Sequence, residues 1–226
     1  MIVVPSYNGY SHLDRLIKSL EKYGTSGHKV VIVDNHTTDL VSKIYLRDLL
    51  NYSGNLQIEI IRPVAPNYEA GALVHAVEAF PEEEKAILLH DSCEILESNW
   101  LDDFENLLTP ETGAVTWVRF RPCLWYMFSY HLEYIDQVLG NHDNPPSGGF
   151  FGGIFYTYTS IIKEFNSNGF FKLLPTQKIH SEAWERIWAM LYHNHNYQTA
   201  SLDDSFDPMR IHHGTNFKLR KIFAGR

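Results

Sequence analysis

Short apolar runs alternate with helical segments over residues 1–95, and this alternation constrains the fold most strongly. The runs at residues 2–4, 29–33, 57–61 and 85–89 predict four strands. Segments 11–23, 40–50 and 69–80 between them predict helices, the first capped by Ser11. Crossovers of this length join parallel strands with a right-handed connection. We therefore expect an α/β fold with a mostly parallel central sheet in a Rossmann-like three-layer α/β/α arrangement.

The second half of the chain has weaker patterns. Residues 100–108 and 181–193 predict helices, and 114–120, 154–159 and 209–213 predict strands. Residues 141–153 are rich in glycine and proline and predict a loop. No linker-like stretch divides the 226 residues. We expect a single domain, 1–226, in which residues 1–98 have a regular alternation of strands and helices and residues 99–226 a less regular one.

Composition excludes some classes of function. The formal net charge of −8 argues against a protein that binds nucleic acid through phosphate contacts. Two cysteines, Cys93 and Cys123, suit free thiols in a reducing compartment. No signal peptide or membrane-spanning pattern is recognisable, which predicts a cytoplasmic protein. The basic tail at 216–226 could contact an anionic membrane peripherally, and a solvated helix is the simpler interpretation.

Polar side chains follow three of the predicted strands. Tyr7 and Asn8 come after the first strand, Asp34 ends the second, and Asp91 follows the fourth within the cluster HDSCE. The carboxyl ends of parallel strands share one edge of a sheet, which is where open α/β folds bind ligands. The sequence therefore predicts a cleft that bears carboxylates at this edge.

Several motifs occur in the order typical of one enzyme family. They are VVPSYNGYSHLDRLIKSL, VVIVDNHTTD, NYEAGALVHAVEAF, ILLHDSCEIL and HSEAWERIW. With these motifs the chain resembles the family 2 glycosyltransferases of the GT-A fold, closely over the first half and in scattered pieces later. The resemblance implies transfer of a sugar from a UDP, GDP or dTDP donor to a hydroxyl of a glycan or glycoconjugate, with inversion. It also implies that residues 1–98 bind the nucleotide and residues 99–226 the acceptor.

The resemblance assigns the donor site residue by residue. Pro5, Tyr7, Asn8 and Asp34 match the positions that hold the nucleotide, and Asp91 matches a contact to the ribose-phosphate or a metal. The chemistry suits these roles, because a tyrosine ring can stack on a base and a carboxylate accepts from its N–H groups.

A divalent cation, Mn or Mg, is a further implication. Cys93 stands where the family's Asp-x-Asp motif has its second acid, and a thiol is a poor ligand for such a hard ion. Glu94 could reach in instead, and the late His212-His213 pair resembles the family's metal-binding histidine. We predict Asp91, Glu94 and His213 as ligands. The alternative is a small buried Cys93 and a solvated Glu94.

Glu182 is the predicted general base, because it lies nearest to the family's Glu-Asp position, with Glu185 as the second choice. The alternative for Glu182 is an acid favoured by the dipole of its own helix. The loop at 148–153 could cover the sugar and acceptor. Four aromatic residues could stack on the acceptor or belong to the core: Trp117, Trp125, Tyr126 and Tyr130.

Two other functions use the same sheet. One is a non-catalytic nucleotide-sugar-binding or scaffold protein that lost the metal acid at Cys93. The other, a nucleotide-sugar pyrophosphorylase, is disfavoured because the glycine-rich, basic loop after the first strand is absent.

Overall fold

The computed structural model describes residues 1–120, 129–140, 148–203 and 218–222. Across these residues the strands are β1 Ile2–Ser6, β2 Val30–Asp34, β3 Ile58–Ile61, β4 Lys85–Leu88, β5 Cys93–Ile95, β6 Thr112–Phe120, β7 Gly149–Phe150, β8 Phe155–Tyr158, β9 Gln198–Asp203 and β10 Leu219–Lys221. The helices are α1 Tyr10–Tyr23, α2 Leu40–Leu49, α3 Tyr68–Ala79, α4 Asp102–Glu105, α5 Ser129–Leu139, α6 Thr159–Ser167 and α7 Lys178–Asn194, with 3-10 turns at Phe151–Gly153 and Phe170–Leu173.

One large mixed sheet organises the chain. Among the described residues its strand order is β3-β2-β1-β4-β8-β6-β7, with β9 paired to β6. The pairs of β1 with β2, β1 with β4, β2 with β3 and β6 with β9 are parallel. β7 and β8 run in the opposite direction to their neighbours. The predicted parallel order of the first four strands is confirmed.

Helices cover both faces of the sheet. Val3, Val31 and Leu88 share one buried cluster with residues of α3, α5, α6 and α7. Ile2 and Ile32 belong to the other cluster, with residues of α1, α2 and α4. Adjacent residues of a strand point to opposite faces, so these continuous apolar runs fill two cores at once. The three-layer α/β/α prediction is confirmed.

Local boundaries differ from the prediction at the start of the chain. Pro5 does not end β1 but pairs with Val33, and the strand continues to Ser6. Ser11 does not cap α1, which begins at Tyr10 after Gly9 and has no side-chain cap. The predicted helix at 100–108 is reduced to the single turn of α4. The predicted strand at 209–213 lies outside the described residues.

Within the described part of the basic tail, residues 218–222, Leu219–Lys221 form a strand, where a helix was expected. β10 pairs antiparallel with β5 and forms a second, two-stranded sheet, in which Leu219 lies opposite Ile95. Two tail cations pair with acids of the protein itself, Lys218 with Asp103 and Arg220 with Glu94. The local sequence pattern carries no sign of a pairing partner so far away in the chain. Within the described ranges, no helix is long and apolar enough to cross a membrane.

The small residues of α3 let it pack closely on the sheet, which generates a stability prediction. Ala76 is fully buried against the sheet, whereas Ala79 on the same helix is exposed. We expect Ala76→Leu to lower the free energy of unfolding by about 1–3 kcal/mol, because there is no space for the larger side chain. Ala79→Leu is the control and should change it by less than ~0.5 kcal/mol in urea denaturation. Equal effects of the two substitutions would contradict the close packing.

Candidate functional site

The ends of three neighbouring strands form the candidate site. β1 lies between β2 and β4, so the turn that carries Tyr7 and Asn8 lies between Asp34 and the loop of Asp91. The structure therefore brings these predicted donor residues to one edge of the sheet. Pro5 is buried within β1, so its contribution to this edge is the position of the backbone.

Asn8 joins two of the loops at this edge. Its Oδ1 accepts hydrogen bonds from the backbone N–H of Thr38 at 2.7 Å and of Asp39 at 3.0 Å. Its Nδ2 donates to Thr38 Oγ1 at 2.9 Å. The backbone of Asn8 has φ 50°, a left-handed conformation that asparagine tolerates better than most residues. Neighbouring Tyr7 is 47% exposed, so part of its ring can be reached by a ligand.

Asp34 is held by its own loop and by an arginine. Its Oδ1 accepts from the backbone N–H of Thr37 at 2.7 Å. Its Oδ2 lies 3.6 Å from Nε of Arg62, just beyond the end of β3. The next side chain, Asn35, is 8% exposed, and its buried Oδ1 has no hydrogen-bond partner among the described residues. This end of β2 therefore presents an oriented carboxylate beside a cation and a buried acceptor.

Asp91 packs against the backbone at the start of α1. It is 9% exposed. An atom at the Cβ position of Gly9 would lie 2.2 Å from its Oδ2, which is closer than any real contact. Glycine at position 9 is therefore what allows the loop after β1 and the loop after β4 to meet.

The described residues do not fit a divalent cation beside Asp91. Cys93 is fully buried, and burial raises the pKa of its thiol to about 12, so it stays protonated. Glu94 follows Cys93 on β5, therefore points to the other face, and pairs with Arg220. His213 lies outside the described residues. Within the described ranges, no three His, Cys, Asp or Glu side chains are grouped so as to hold a metal ion.

A second polar cluster lies next to Asp91 and was missed by sequence reasoning. Nδ1 of His90 is 3.7 Å from Oε1 of Glu69 at the start of α3, and its Nε2 contacts the backbone carbonyl of Gly152. Ser181 of α7 donates to the other oxygen of Glu69. Burial alone would raise the pKa of Glu69, but His90 and Ser181 together hold it below its ordinary value. This carboxylate therefore joins α3, α7 and the end of β4.

The two candidate bases on α7 have different surroundings. The side chain of Glu182 is 49% exposed and lies 3.6 Å from Nε2 of His131 on α5. Glu185 is partly buried, and burial raises its pKa to about 7; Glu69 and Glu182 add to this rise, while Lys221 and Arg186 oppose it. Glu185 therefore belongs electrostatically to the cluster around Glu69.

Other predicted contacts are distributed between the core and the site. Trp117 is 2% exposed and packs in the core. Trp125 and Tyr126 lie outside the described residues. The glycine-rich segment reaches the site, since the Gly152 carbonyl contacts His90. At its other end, Gly148 and Gly149 line a cavity of about 280 Å³.

Comparison with known proteins identifies the family. The model of glycosyl transferase family 2 matches residues 1–170, so the chain belongs to this family. No curated protein matches the chain.

The fold is shared with solved glycosyltransferases of the GT-A type. GalNAc-T7 with UDP, GalNAc and Mn²⁺ has a TM-score of 0.56 at 14% identity, over 83% of this chain and 39% of its own. The mannosyltransferase PcManGT from Pyrobaculum calidifontis, with GDP-Man and Mn²⁺, has a TM-score of 0.56 at 18% identity, over 90% and 54%. Mouse xyloside xylosyltransferase 1 in its apo form has a TM-score of 0.51 at 12% identity, over 97% and 96%. The chain thus spans about half or less of the first two proteins.

The contact between Gly9 and Asp91 generates a double-mutant prediction. Gly9→Ala should lower the free energy of unfolding, because the added methyl group displaces the Asp91 carboxylate. In an Asp91→Ala background the obstruction is gone, so the cost should be smaller by about 1 kcal/mol or more. Urea denaturation of the four proteins measures this difference, and Ser11→Ala on the exposed first turn of α1 serves as the control. If Gly9→Ala lowers the free energy of unfolding equally in both backgrounds, the side chain of Asp91 does not pack against position 9.

Proposed function

We propose that this chain transfers a sugar from a nucleoside-diphosphate donor to a hydroxyl group of a glycan or glycoconjugate. The observation that carries the proposal is the meeting of Asp34, Tyr7 and Asp91 at the carboxyl edge of three adjacent parallel strands. The similar structures in complex with UDP and with GDP-Man support a donor of this class. In this proposal residues 1–98 bind the nucleotide, and residues 99–226 complete a single domain with the acceptor site.

Each strand end has a separate task in this proposal. The exposed ring of Tyr7 stacks on the base, and Asp34 accepts hydrogen bonds from the N–H groups of the base. Asn8 acts indirectly, because its side chain is already bonded to the loop after β2. Asp91 lies on the ribose-phosphate side. Pro5 fixes the course of the backbone into this turn.

A thermal-shift screen tests the donor class. UDP, GDP, dTDP and CDP, each with Mn²⁺ and with EDTA, are added to the intact protein. A ligand at about 100 times its Kd that binds only the folded state stabilises it by ~2.7 kcal/mol, which corresponds to a rise in Tm of roughly 5–11 °C for a chain of this size. We expect at least one nucleotide to give such a shift and Asp34→Ala to abolish it. The absence of a shift with all four would count against the proposal.

The general base must take a proton from the acceptor hydroxyl. Glu182, chosen from the sequence, remains a prediction, but the surroundings favour Glu185. A carboxyl group with a pKa of about 7 is well matched to proton abstraction near neutral pH. Direct attack by the deprotonated hydroxyl is a single displacement, so the transfer inverts the configuration of the sugar.

The pH dependence of the rate separates the two acids. The base must be ionised, so kcat/KM, which reports the pKa of the free enzyme, should rise with pH through about 7. Glu185→Gln should lower kcat by about 10²–10⁴ and remove this rise, whereas Glu182→Gln, the matched control, should keep it. The opposite result would assign the base to Glu182.

A non-catalytic nucleotide-sugar-binding protein is the second candidate, favoured by the buried Cys93 where the family has an acid. It would give the thermal shift without turnover. Release of nucleoside diphosphate from the bound donor, measured with and without Mn²⁺, separates the two functions.

A further inference from the structure

A lysine from the chain's last described strand lies among the acids of the site. β10 pairs with β5 so that Lys221 is opposite Cys93, the residue that replaces the expected metal acid. The backbone N–H of Ile222 donates to Ser92 O at 2.9 Å, which fixes this pairing beside Asp91. Lys221 thus enters the site next to the place that a second metal acid would take.

The ammonium group of Lys221 points towards the glycine-rich turn and the acidic cluster. An atom at the Cβ position of Gly152 would be 2.5 Å from its Nζ, and Nζ is 5.7 Å from the ring centre of Phe151. Burial has the largest effect on Glu69 and Glu185 and raises the pKa values of both. The positive charge of Lys221 acts in the opposite direction and lowers them. The lysine therefore lies close enough to both acids to affect their ionisation.

A diphosphate needs positive charge at this edge. Asp91, Glu69 and Glu185 make the edge acidic, and a leaving nucleoside diphosphate develops further negative charge. The described residues do not provide a ligand set for a divalent ion, since Cys93 is a buried thiol and Glu94 pairs with Arg220. Lys221 supplies a permanent cation at the position where the ion would be needed.

We propose that Lys221 binds the diphosphate of the donor and neutralises its charge, so that the nucleotide sugar is held without a metal ion. This inference rests on the proposed function and concerns the same site. It explains why Cys93 is tolerated: an acid there would lie opposite Lys221 and compete with the diphosphate for its charge. It also accounts for the glycine at position 152 of the Gly148–Gly153 segment, because a side chain there would displace the ammonium group.

Calorimetric titration with three ligands of increasing charge tests the proposal. The nucleoside, monophosphate and diphosphate of the base chosen by thermal shift are added in EDTA and again in Mn²⁺. We expect the wild-type protein to bind the diphosphate equally well in both. Lys221→Met should weaken diphosphate binding about 10- to 100-fold and leave nucleoside binding unchanged, the effect of one lost charge-assisted hydrogen bond.

Two further variants control for charge and folding. Lys218→Met removes the same charge from the same segment, where the lysine pairs with Asp103, and should bind the diphosphate as the wild type does. Lys221→Arg keeps the charge and should retain most of the affinity. The melting temperature of each ligand-free variant shows that it is folded.

The contrary outcomes are distinct. Diphosphate binding that requires Mn²⁺, or that is equal in Lys221→Met and the wild type, overturns the role of Lys221 and leaves the proposed function intact. Equal losses in Lys221→Met and Lys218→Met also overturn it, because they reflect net charge alone. A wild-type protein that binds no nucleoside diphosphate in either condition overturns the proposed function itself.

Discussion

Parallel pairing of β1 with both β2 and β4 is the constraint on which the site depends. The register places Ser6 opposite Asp34 and Val3 opposite Leu88, so three chain segments leave the sheet side by side. Neighbouring strands are only about 4.8 Å apart. Side chains that are distant in sequence therefore meet without any long loop, and glycine at position 9 leaves room for the side chain of Asp91.

The charges at this edge stabilise one another as a group. Burial alone would raise the pKa of Glu69, and His90 and Ser181 make the largest contributions that hold it below its ordinary value. The charges of Lys221 and Arg186 offset the burial of Glu185 only in part, so its pKa is raised towards neutrality. An anionic ligand beside Lys221 would withdraw part of the positive charge that now opposes this rise. With the diphosphate of the donor beside Lys221, as proposed, donor binding and the protonation of Glu185 are thermodynamically coupled, whichever residue acts as the base.

The first half of the fold could be predicted because a local sequence pattern identifies each of its strands and helices. Apolar runs such as the one before His90 identify the strands, and the lengths between them require parallel order, which places Asp34 and Asp91 at one edge. The bonding of Asn8 to the next loop was not predictable, because it depends on the turn geometry of both loops.

The rest of the site depends on contacts between distant parts of the chain. The choice between Glu182 and Glu185 depends on how α7 is rotated against α3, which the bond from Ser181 to Glu69 fixes. The position of Lys221 in the site could not be predicted from the sequence. A single basic residue in a short strand does not indicate which other strand its own strand pairs with.

The pairing of β5 with β10 also determines when the site is completed. Arg220 and Glu94 are 126 residues apart and meet across this pair. During synthesis the chain grows from its N-terminus, so β1 to β4 can form their sheet while β10 has yet to be made. The cluster around Glu69 and His90 receives its lysine only when nearly the whole chain described here has left the ribosome. The residue that completes the site is therefore synthesised more than 120 residues after the parallel strands that carry Tyr7, Asp34 and Asp91.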